Sequence, residues 1–178
     1  MKYMLITGAS SGIGFETFLK CFKKDIYPIA LIRNVKSFKE NLTNESLQDN
    51  EFSTIDCDLE DISSIENVVK EVKKITKKLD HLVLNAGFIE TSAALMTTKL
   101  NLDKHLNINF ISQIQIAQSI AKSFFIRQKR GTIVAVSSSA AIDANEARMA
   151  YAASKSALST AIRVMSKELG KINIRANV

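Results

Sequence analysis

A glycine-rich turn directly after the first apolar run constrains the fold of this chain more than any other feature. Residues 3–7 form that run, glycines follow at positions 8, 12 and 14, and apolar residues then recur at helical spacing as far as Phe22. Glycine permits a sharp turn and lets backbone N–H groups at a helix start approach a pyrophosphate. The segment predicts a strand, a turn and a helix that bind a dinucleotide, although the same turn also occurs without a ligand. The predicted contacts are Gly8, Ser10, Ser11, Gly12, Ile13 and Gly14.

The rest of the chain alternates short apolar runs with segments of helical periodicity. Strands that alternate with helices pair in parallel, and right-handed crossovers place helices on both faces of the sheet. No linker, repeat or change of composition divides the sequence, so it predicts one Rossmann-like, doubly wound α/β domain of three layers over residues 1–178. Predicted strands are 3–7, 26–33, 52–56, 81–84 and 132–136, with a last apolar segment at 172–178; predicted helices are 14–22, 36–44, 63–77, 102–127 and 147–170.

Composition and charge argue against several function classes. The longest apolar run, residues 27–32, is far shorter than the ~20 residues that cross a bilayer, so neither a membrane span nor a secretion signal is expected. The two cysteines, Cys21 and Cys57, form neither a disulfide framework nor a metal site, which favours a cytoplasmic protein without a metal. The net charge of +6 is spread over helix faces in lysine pairs near acidic residues, so no nucleic-acid partner is expected.

An arginine stands at the end of the second predicted strand, nineteen residues beyond Gly14. NAD-binding sites usually have an acidic residue there, which bonds the ribose 2′-hydroxyl. A guanidinium pairs with a 2′-phosphate, so Arg33 favours NADP over NAD, although an ordinary surface arginine is the alternative. Asp58 and the adjoining Leu59, after the third predicted strand, are expected to contact the adenine; a turn-forming aspartate is the plain alternative.

A tyrosine and a lysine four residues apart lie on one face of the last long predicted helix. By itself the pair of Tyr151 and Lys155 is weak evidence for a catalytic site, because an aromatic residue on a helix often only packs against its neighbours. Ser138 strengthens it, since this serine lies at the carboxyl end of the strand 132–136. An open α/β sheet has its ligand crevice at the carboxyl ends of its strands. If the strand register slips by one residue, Ser137 or Ser139 takes that place.

Five motifs resemble, in order, those of the short-chain dehydrogenase/reductase family: Thr7-Gly8-x-x-x-Gly12-x-Gly14, Asn85-Ala86-Gly87, Asn109, Ser138 and Tyr151-x-x-x-Lys155. The resemblance extends over the whole chain. It implies a small-molecule oxidoreductase that transfers a hydride between a nicotinamide and a carbonyl or alcohol substrate. It also implies that Asn85, Ala86, Gly87, Tyr151 and Lys155 contact the cofactor.

The resemblance further implies four catalytic residues, Asn109, Ser138, Tyr151 and Lys155. Tyr151 would exchange a proton with the substrate oxygen, and the Lys155 ammonium would favour the phenolate and bind the nicotinamide ribose. Ser138 would hydrogen-bond the carbonyl oxygen, and Asn109 would hold a water that links Lys155 to solvent. The two histidines, His81 and His105, are predicted to be structural.

The sequence departs from the family pattern at three places. Leu84 replaces an asparagine that steadies the central strands, and Ser11 replaces a basic residue common in NADP users. The sequence stops at Val178, so the usual last strand and substrate lid are expected to be missing. This departure motivates a rival interpretation, a shortened, non-catalytic module for nucleotide binding or dimerisation.

The two long predicted helices, 102–127 and 147–170, are expected to form a homodimer interface, as they do in the family. Small and apolar residues on them would permit close packing, although such residues also suit contact with the protein's own sheet. The residues concerned are Ile114, Ala117, Ala121, Ala153, Ala157 and Ala161.

Overall fold

Parallel strands form one central sheet in a computed structural model of the chain, which describes residues 1–42, 47, 51–143 and 145–178. Six strands in this described part lie in the order β3-β2-β1-β4-β5-β6, and every neighbouring pair is parallel. They are β1 (Lys2–Thr7), β2 (Ile26–Ile32), β3 (Ser53–Asp56), β4 (His81–Leu84), β5 (Gly131–Ala135) and β6 (Ile174–Asn177). The prediction of a Rossmann-like, doubly wound α/β sheet is confirmed.

The helices connect the strands and cover both faces of the sheet. They are α1 (Gly12–Phe22), α2 (Val35–Leu42), α3 (Ile62–Ile75), α4 (Lys99–Leu106), α5 (Ser112–Ile120), α6 (Ile126–Gln128) and α7 (Met149–Leu169). Two π-helical turns, Asn107–Ile111 and Ala121–Phe125, join α4, α5 and α6 into one helical run. Within the described residues, no helix combines the length and the apolar character needed to cross a bilayer.

Local backbone chemistry explains where the helix boundaries differ from prediction. Ala147 has a left-handed φ of 56°, so α7 begins at Met149 and not at 147. Thr76 is extended, and α3 therefore ends at Ile75 instead of 77. The helical run starts three residues early, at Lys99, because the Thr98 hydroxyl accepts a hydrogen bond from the Asn101 N–H at 3.2 Å. Predicted helix 36–44 starts at Val35, and its last two residues lie outside the described part.

Two apolar clusters lie on opposite faces of the sheet, because successive residues of a strand point to opposite sides. Leu5 packs in the cluster under α3, α5 and α7, whereas Met4 and Ile6 pack in the cluster under α1 and α2. In the second cluster Phe18 lies edge-on to Phe38 and to other rings, with a centroid distance of 5.2 Å between these two. Sheet and helices thus form three layers.

Two of the residues predicted at a dimer interface lie in the protein's own core. Ala117 and Ala121 are 0% and 4% exposed and belong to the cluster beneath α5. Their assignment to the interface is therefore wrong, because the helix turns these positions towards the sheet. Ala153, by contrast, is exposed on α7.

Candidate active site

The glycine turn between β1 and α1 is so tight that two of its positions exclude a side chain. Gly8 has a φ of +65°, and a Cβ built on it would lie 2.6 Å from Cα of Ala86. A Cβ on Gly14 would overlap the Gly8 carbonyl oxygen and Nδ2 of Asn85. The two glycines therefore let the turn and the segment after β4 approach each other. Ser10, Ser11, Gly12 and Ile13 lie exposed at the start of α1.

A crevice of about 390 Å³ lies at the carboxyl ends of the strands, where the chain leaves β1 and β4 for different sides of the sheet. Seven predicted cofactor contacts line it: Gly8, Ser10, Arg33, Asp58, Leu59, Ala86 and Gly87. Further lining residues, which the sequence did not single out, include Asn34, Ser37, Phe88 and Lys104. A hollow of about 550 Å³ between β3 and α3 contains none of the predicted site residues.

The loops around the crevice are held by their own hydrogen bonds. The Asp58 carboxylate accepts from the Glu60 N–H at 3.0 Å, and its own N–H donates to the Ser64 hydroxyl at 3.2 Å. Lys104 pairs with Glu60 at 3.4 Å and lies 4.7 Å from the ring centroid of Phe88. Arg33 is exposed directly after β2, so the crevice has cationic side chains on two sides.

A buried network joins β1 to β4 at the bottom of the crevice. The Thr7 hydroxyl accepts from the N–H groups of Asn85 and Ala86 at 2.9 and 3.0 Å and donates to Oε1 of Gln113 at 3.0 Å. Nδ2 of Asn85 donates to the Gly8 carbonyl at 2.9 Å. Leu84, at the place of the family's asparagine, is buried in the core, and this network ties the two strands together beside it.

Asn109 lies fully buried in the first π-helical turn, and its amide holds the segment after β4. Oδ1 accepts from the Phe88 N–H at 2.6 Å, while Nδ2 donates to the Phe88 carbonyl at 2.8 Å and to the Ser154 hydroxyl at 2.9 Å. The Ser154 hydroxyl in turn donates to the Tyr151 carbonyl at 2.7 Å. Asn109 thus connects the crevice wall to the first turn of α7.

Lys155 extends from α7 to the crevice and is only 3% exposed. Its Nζ donates to the carbonyl oxygen of Val136 at 2.8 Å. A Cβ built on Gly87 would lie 3.3 Å from this Nζ and 3.6 Å from Oδ1 of Asn109, so the three residues meet at one point. Burial lowers the pKa of Lys155 from its ordinary value, because an ammonium loses hydration there.

Among the three consecutive serines after β5, the structure distinguishes Ser138 from its neighbours. Ser137 points to α7, where its hydroxyl hydrogen-bonds to that of Ser159 at 2.6 Å. Ser138 is half-buried, and its Oγ accepts from the Ala140 N–H at 3.2 Å, which leaves its own hydrogen to donate. Ser139 is exposed at the start of a short 3₁₀ turn. Which of the three serines binds the carbonyl stays a prediction, with Ser138 as the residue expected from the family pattern.

Tyr151 is half-buried in the first turn of α7, with its ring against His105. The two ring centroids are 6.4 Å apart and the planes meet at 73°. Sequence reasoning gave His105 no functional role and did not consider Gln113. The spacing of these residues could have indicated a shared role. Positions 105, 109 and 113 are four residues apart, so their polar side chains lie on one side of a single helical run.

Comparison with known proteins places this arrangement among dehydrogenases and reductases. Residues 2–178 match the family model described as short chain dehydrogenase. The chain is 36% identical to L-xylulose reductase of Caenorhabditis elegans over 177 residues, covering 99% of this chain and 69% of that protein. It is 30% identical over 178 residues to the NAD-dependent glycerol dehydrogenase of Listeria innocua, covering 99% of this chain and 68% of that protein. The crystal structure of gox2181 superimposes with a TM-score of 0.89 at 25% identity, covering 98% of this chain and 69% of that one.

Proposed function

The chain belongs to the short-chain dehydrogenase/reductase family, whose members are oxidoreductases with a nicotinamide cofactor, and we propose that it transfers a hydride between NADP(H) and a carbonyl or alcohol substrate. The observation that carries the proposal is the meeting of Lys155, Asn109 and Gly87 at the crevice, one helical turn from Tyr151. A lysine buried this deeply is costly, which supports a role in the site beyond packing.

The residues around the crevice fit a dinucleotide. Ser10, Ser11, Gly12 and Ile13 lie exposed at the start of α1, so the backbone there is open to a pyrophosphate, and the helix N-terminus favours an anion. Asp58 and Leu59 line the same crevice on the β3 side, and Ala86 and Gly87 line it on the β4 side. In the proposed complex these residues hold the cofactor, together with Asn85, Tyr151 and Lys155. When bound, its nicotinamide ring supplies or accepts the hydride.

Tyr151 is proposed as the acid/base. In the reductive direction its hydroxyl donates a proton to the substrate oxygen as that oxygen gains charge. Ser138 donates a hydrogen bond to the same oxygen, which positions the carbonyl and stabilises the developing charge. The Lys155 ammonium, one turn along α7, favours the phenolate that remains and binds the nicotinamide ribose.

Asn109 is proposed to hold the geometry of the site from below. Its hydrogen bonds to Phe88 fix the wall beside Gly87. Its bond to Ser154, whose hydroxyl donates to the Tyr151 carbonyl, reaches the first turn of α7. The proposed water between Lys155 and solvent would be held by Oδ1 of Asn109, which lies near Lys155 Nζ next to Gly87. Such a water would return a proton to Tyr151 between turnovers.

The proposal is tested by titrating the purified chain with NADPH and following its oxidation with a panel of aldehydes and ketones. Micromolar binding with steady oxidation is the expected result. Binding without turnover over the whole panel would favour the rival interpretation, a non-catalytic nucleotide-binding or dimerisation module. Absence of binding to both NADPH and NADH would refute the oxidoreductase proposal.

The proposed preference for NADP depends on Arg33. We expect Arg33→Ala to raise the Kd for NADPH about 10- to 100-fold, because charge-assisted hydrogen bonds to a phosphate contribute about 1.5–3 kcal/mol. The Kd for NADH, which lacks the 2′-phosphate, should change less than about threefold. Fluorescence titration of both cofactors measures the difference. Arg127→Ala is the control, since Arg127 is exposed on α6 before the amino end of β5. Equal weakening of both cofactors by Arg33→Ala would contradict the preference.

We also propose that residues 1–178 form one domain and that two copies associate through the helical run of α4–α6 and α7. On α7 the positions 153, 157, 161 and 164 share one face, where Ala153 and Val164 are exposed. Light scattering should give twice the 19.7 kDa of one chain, and Ala153→Glu should shift the protein to monomers because it places a charge in the interface. A wild-type species of one chain mass would contradict the dimer.

A cytoplasmic location is part of the proposal. Cys21 and Cys57 are both buried and not linked by a disulfide, as is usual in a reducing compartment. Burial raises the pKa of Cys21 to about 12, so this thiol stays protonated and unreactive.

A further inference from the structure

His105 is a fully buried side chain in the last turn of α4, between the crevice wall and Tyr151. Its ring centroid is 4.8 Å from that of Phe88 and 6.4 Å from that of Tyr151. Phe88 belongs to the segment that follows β4, and Tyr151 belongs to α7. One imidazole therefore contacts both sides of the site.

Hydrogen bonds at both ring nitrogens hold the imidazole in one orientation. Nε2 lies 3.1 Å from the Glu90 N–H, which can only donate, so Nε2 carries no hydrogen. Nδ1 lies 2.8 Å from the Asn101 carbonyl oxygen, which can only accept, so Nδ1 carries the hydrogen. Both ring nitrogens thus have a hydrogen-bond partner in the backbone.

His105 is also the first member of a row of three buried side chains on the helical run, His105, Asn109 and Gln113, which we call the 105–109–113 row. Nε2 of Gln113 donates to the Ala86 carbonyl at 3.2 Å, and Asn109 bonds both polar groups of the Phe88 backbone. His105 accepts from the N–H of Glu90, the next alternate residue. The row therefore holds residues 86, 88 and 90 of the segment that follows β4.

The two ends of the row lie at different parts of the site. Gln113 holds Ala86, which lines the cofactor crevice, whereas His105 holds Glu90 and lies against the Tyr151 ring. Gln113 and Asn109 consequently hold the backbone of Ala86 and Phe88, which line the crevice. His105 in turn holds the backbone of Glu90 and packs between the rings of Phe88 and Tyr151.

We propose that His105 is a positioning residue for the reaction. The bond from the Glu90 N–H to Nε2 holds Glu90, and the imidazole packs on the Phe88 ring, so that residues 88–90 form a wall beside Tyr151. The inference rests on the proposed function, because the wall matters only if Tyr151 reacts with a bound carbonyl. Rates of oriented reactions are sensitive to displacements of about 1 Å, so a wall that shifts should lower kcat more than it weakens cofactor binding.

Two substitutions that keep different halves of the imidazole test the proposal. The amide nitrogen of His105→Asn replaces Nδ1 and can bond the Asn101 carbonyl, but the side chain is too short to reach Glu90. The terminal carbonyl of His105→Gln replaces Nε2 and can accept from the Glu90 N–H. We expect His105→Asn to lower kcat about tenfold or more, with the Kd for NADPH changed less than about twofold. His105→Gln should restore kcat to within about threefold of the wild type.

Amide hydrogen exchange gives a readout that does not depend on activity. The Glu90 amide should exchange at least about tenfold faster in His105→Asn than in the wild type or in His105→Gln. The Phe88 amide, held by Asn109, should exchange at the wild-type rate in all three proteins and serves as the internal control.

The outcomes separate this inference from the proposed function. If the wild type turns over normally but both variants lose kcat equally, or if exchange at Glu90 is unchanged in His105→Asn, the role of His105 is overturned and the proposed function stands. A wild-type chain that binds NADPH but reduces no carbonyl would refute the proposed function and with it any role of His105 in the reaction.

Discussion

Replacing Tyr151 by phenylalanine should lower kcat by at least about 100-fold, because general acid–base catalysis by a placed side chain contributes roughly 10²- to 10⁴-fold. The substitution removes only the hydroxyl. The ring that packs against His105 remains, so the fold and the Kd for NADPH should stay close to those of the wild type. The measurement is kcat for the best carbonyl substrate of the panel, together with the melting temperature of both proteins.

Tyr27→Phe is the matched control, since it makes the same chemical change far from the crevice. Tyr27 lies at the amino end of β2, and its hydroxyl bonds that of Ser53 at 3.0 Å. Losing this bond should cost about 1 kcal/mol of unfolding free energy and leave kcat unchanged. A Tyr151→Phe enzyme with wild-type kcat would refute the proposed mechanism.

Replacing Gly14 by alanine should destabilise the protein by about 3 kcal/mol, the upper part of the range for overpacked interiors. The added Cβ would overlap the Gly8 carbonyl oxygen and Nδ2 of Asn85, and backbone at Gly8 cannot move aside cheaply. The melting temperature should fall by roughly 10 °C. Cofactor binding should be lost as well, because a displaced turn no longer presents its N–H groups to the pyrophosphate.

Two other glycines provide graded controls for this prediction. Gly170 has a right-handed conformation and open space around its Cβ position, so Gly170→Ala should be neutral or slightly stabilising. Gly12 has the same open space but a φ of +54°, and Gly12→Ala should cost about 1 kcal/mol through backbone strain alone. If all three variants melt at the same temperature, the close approach of Gly14 to the Gly8 carbonyl and Asn85 does not explain why the turn has a glycine there.

The order of strands and helices was predictable because each element has its own local signal. The predicted strand 81–84 matches β4 to the residue, since residues 82–84 are apolar and buried, as a central parallel strand requires. Helix ends were predicted less well. The left-handed conformation of Ala147 and the cap at Thr98 depend on backbone geometry that periodicity does not report.

Candidate site residues were predictable where the residue type matches a motif of the family. Arg33, Asp58 and Gly87 all line the crevice, and the site roles of Ser138, Tyr151 and Lys155 stay predictions that the geometry supports. The hydrogen bonds of Gln113 and His105 were missed. An amide or imidazole on a helix shows in the sequence no sign of the distant backbone it will contact, here residues 86 and 90.

The sequence by itself determined the alternation of elements, the glycine turn and the spacing of Tyr151 and Lys155, because these follow from local sterics and helical periodicity. Only the tertiary structure decided which small residues face the core, as Ala117 and Ala121 do, and which face solvent. It alone also decided that Asn109 lies in a π-helical turn, where its amide holds Phe88. The physical reason is that these contacts join residues distant in the chain, and their geometry is set by how helices pack on the sheet.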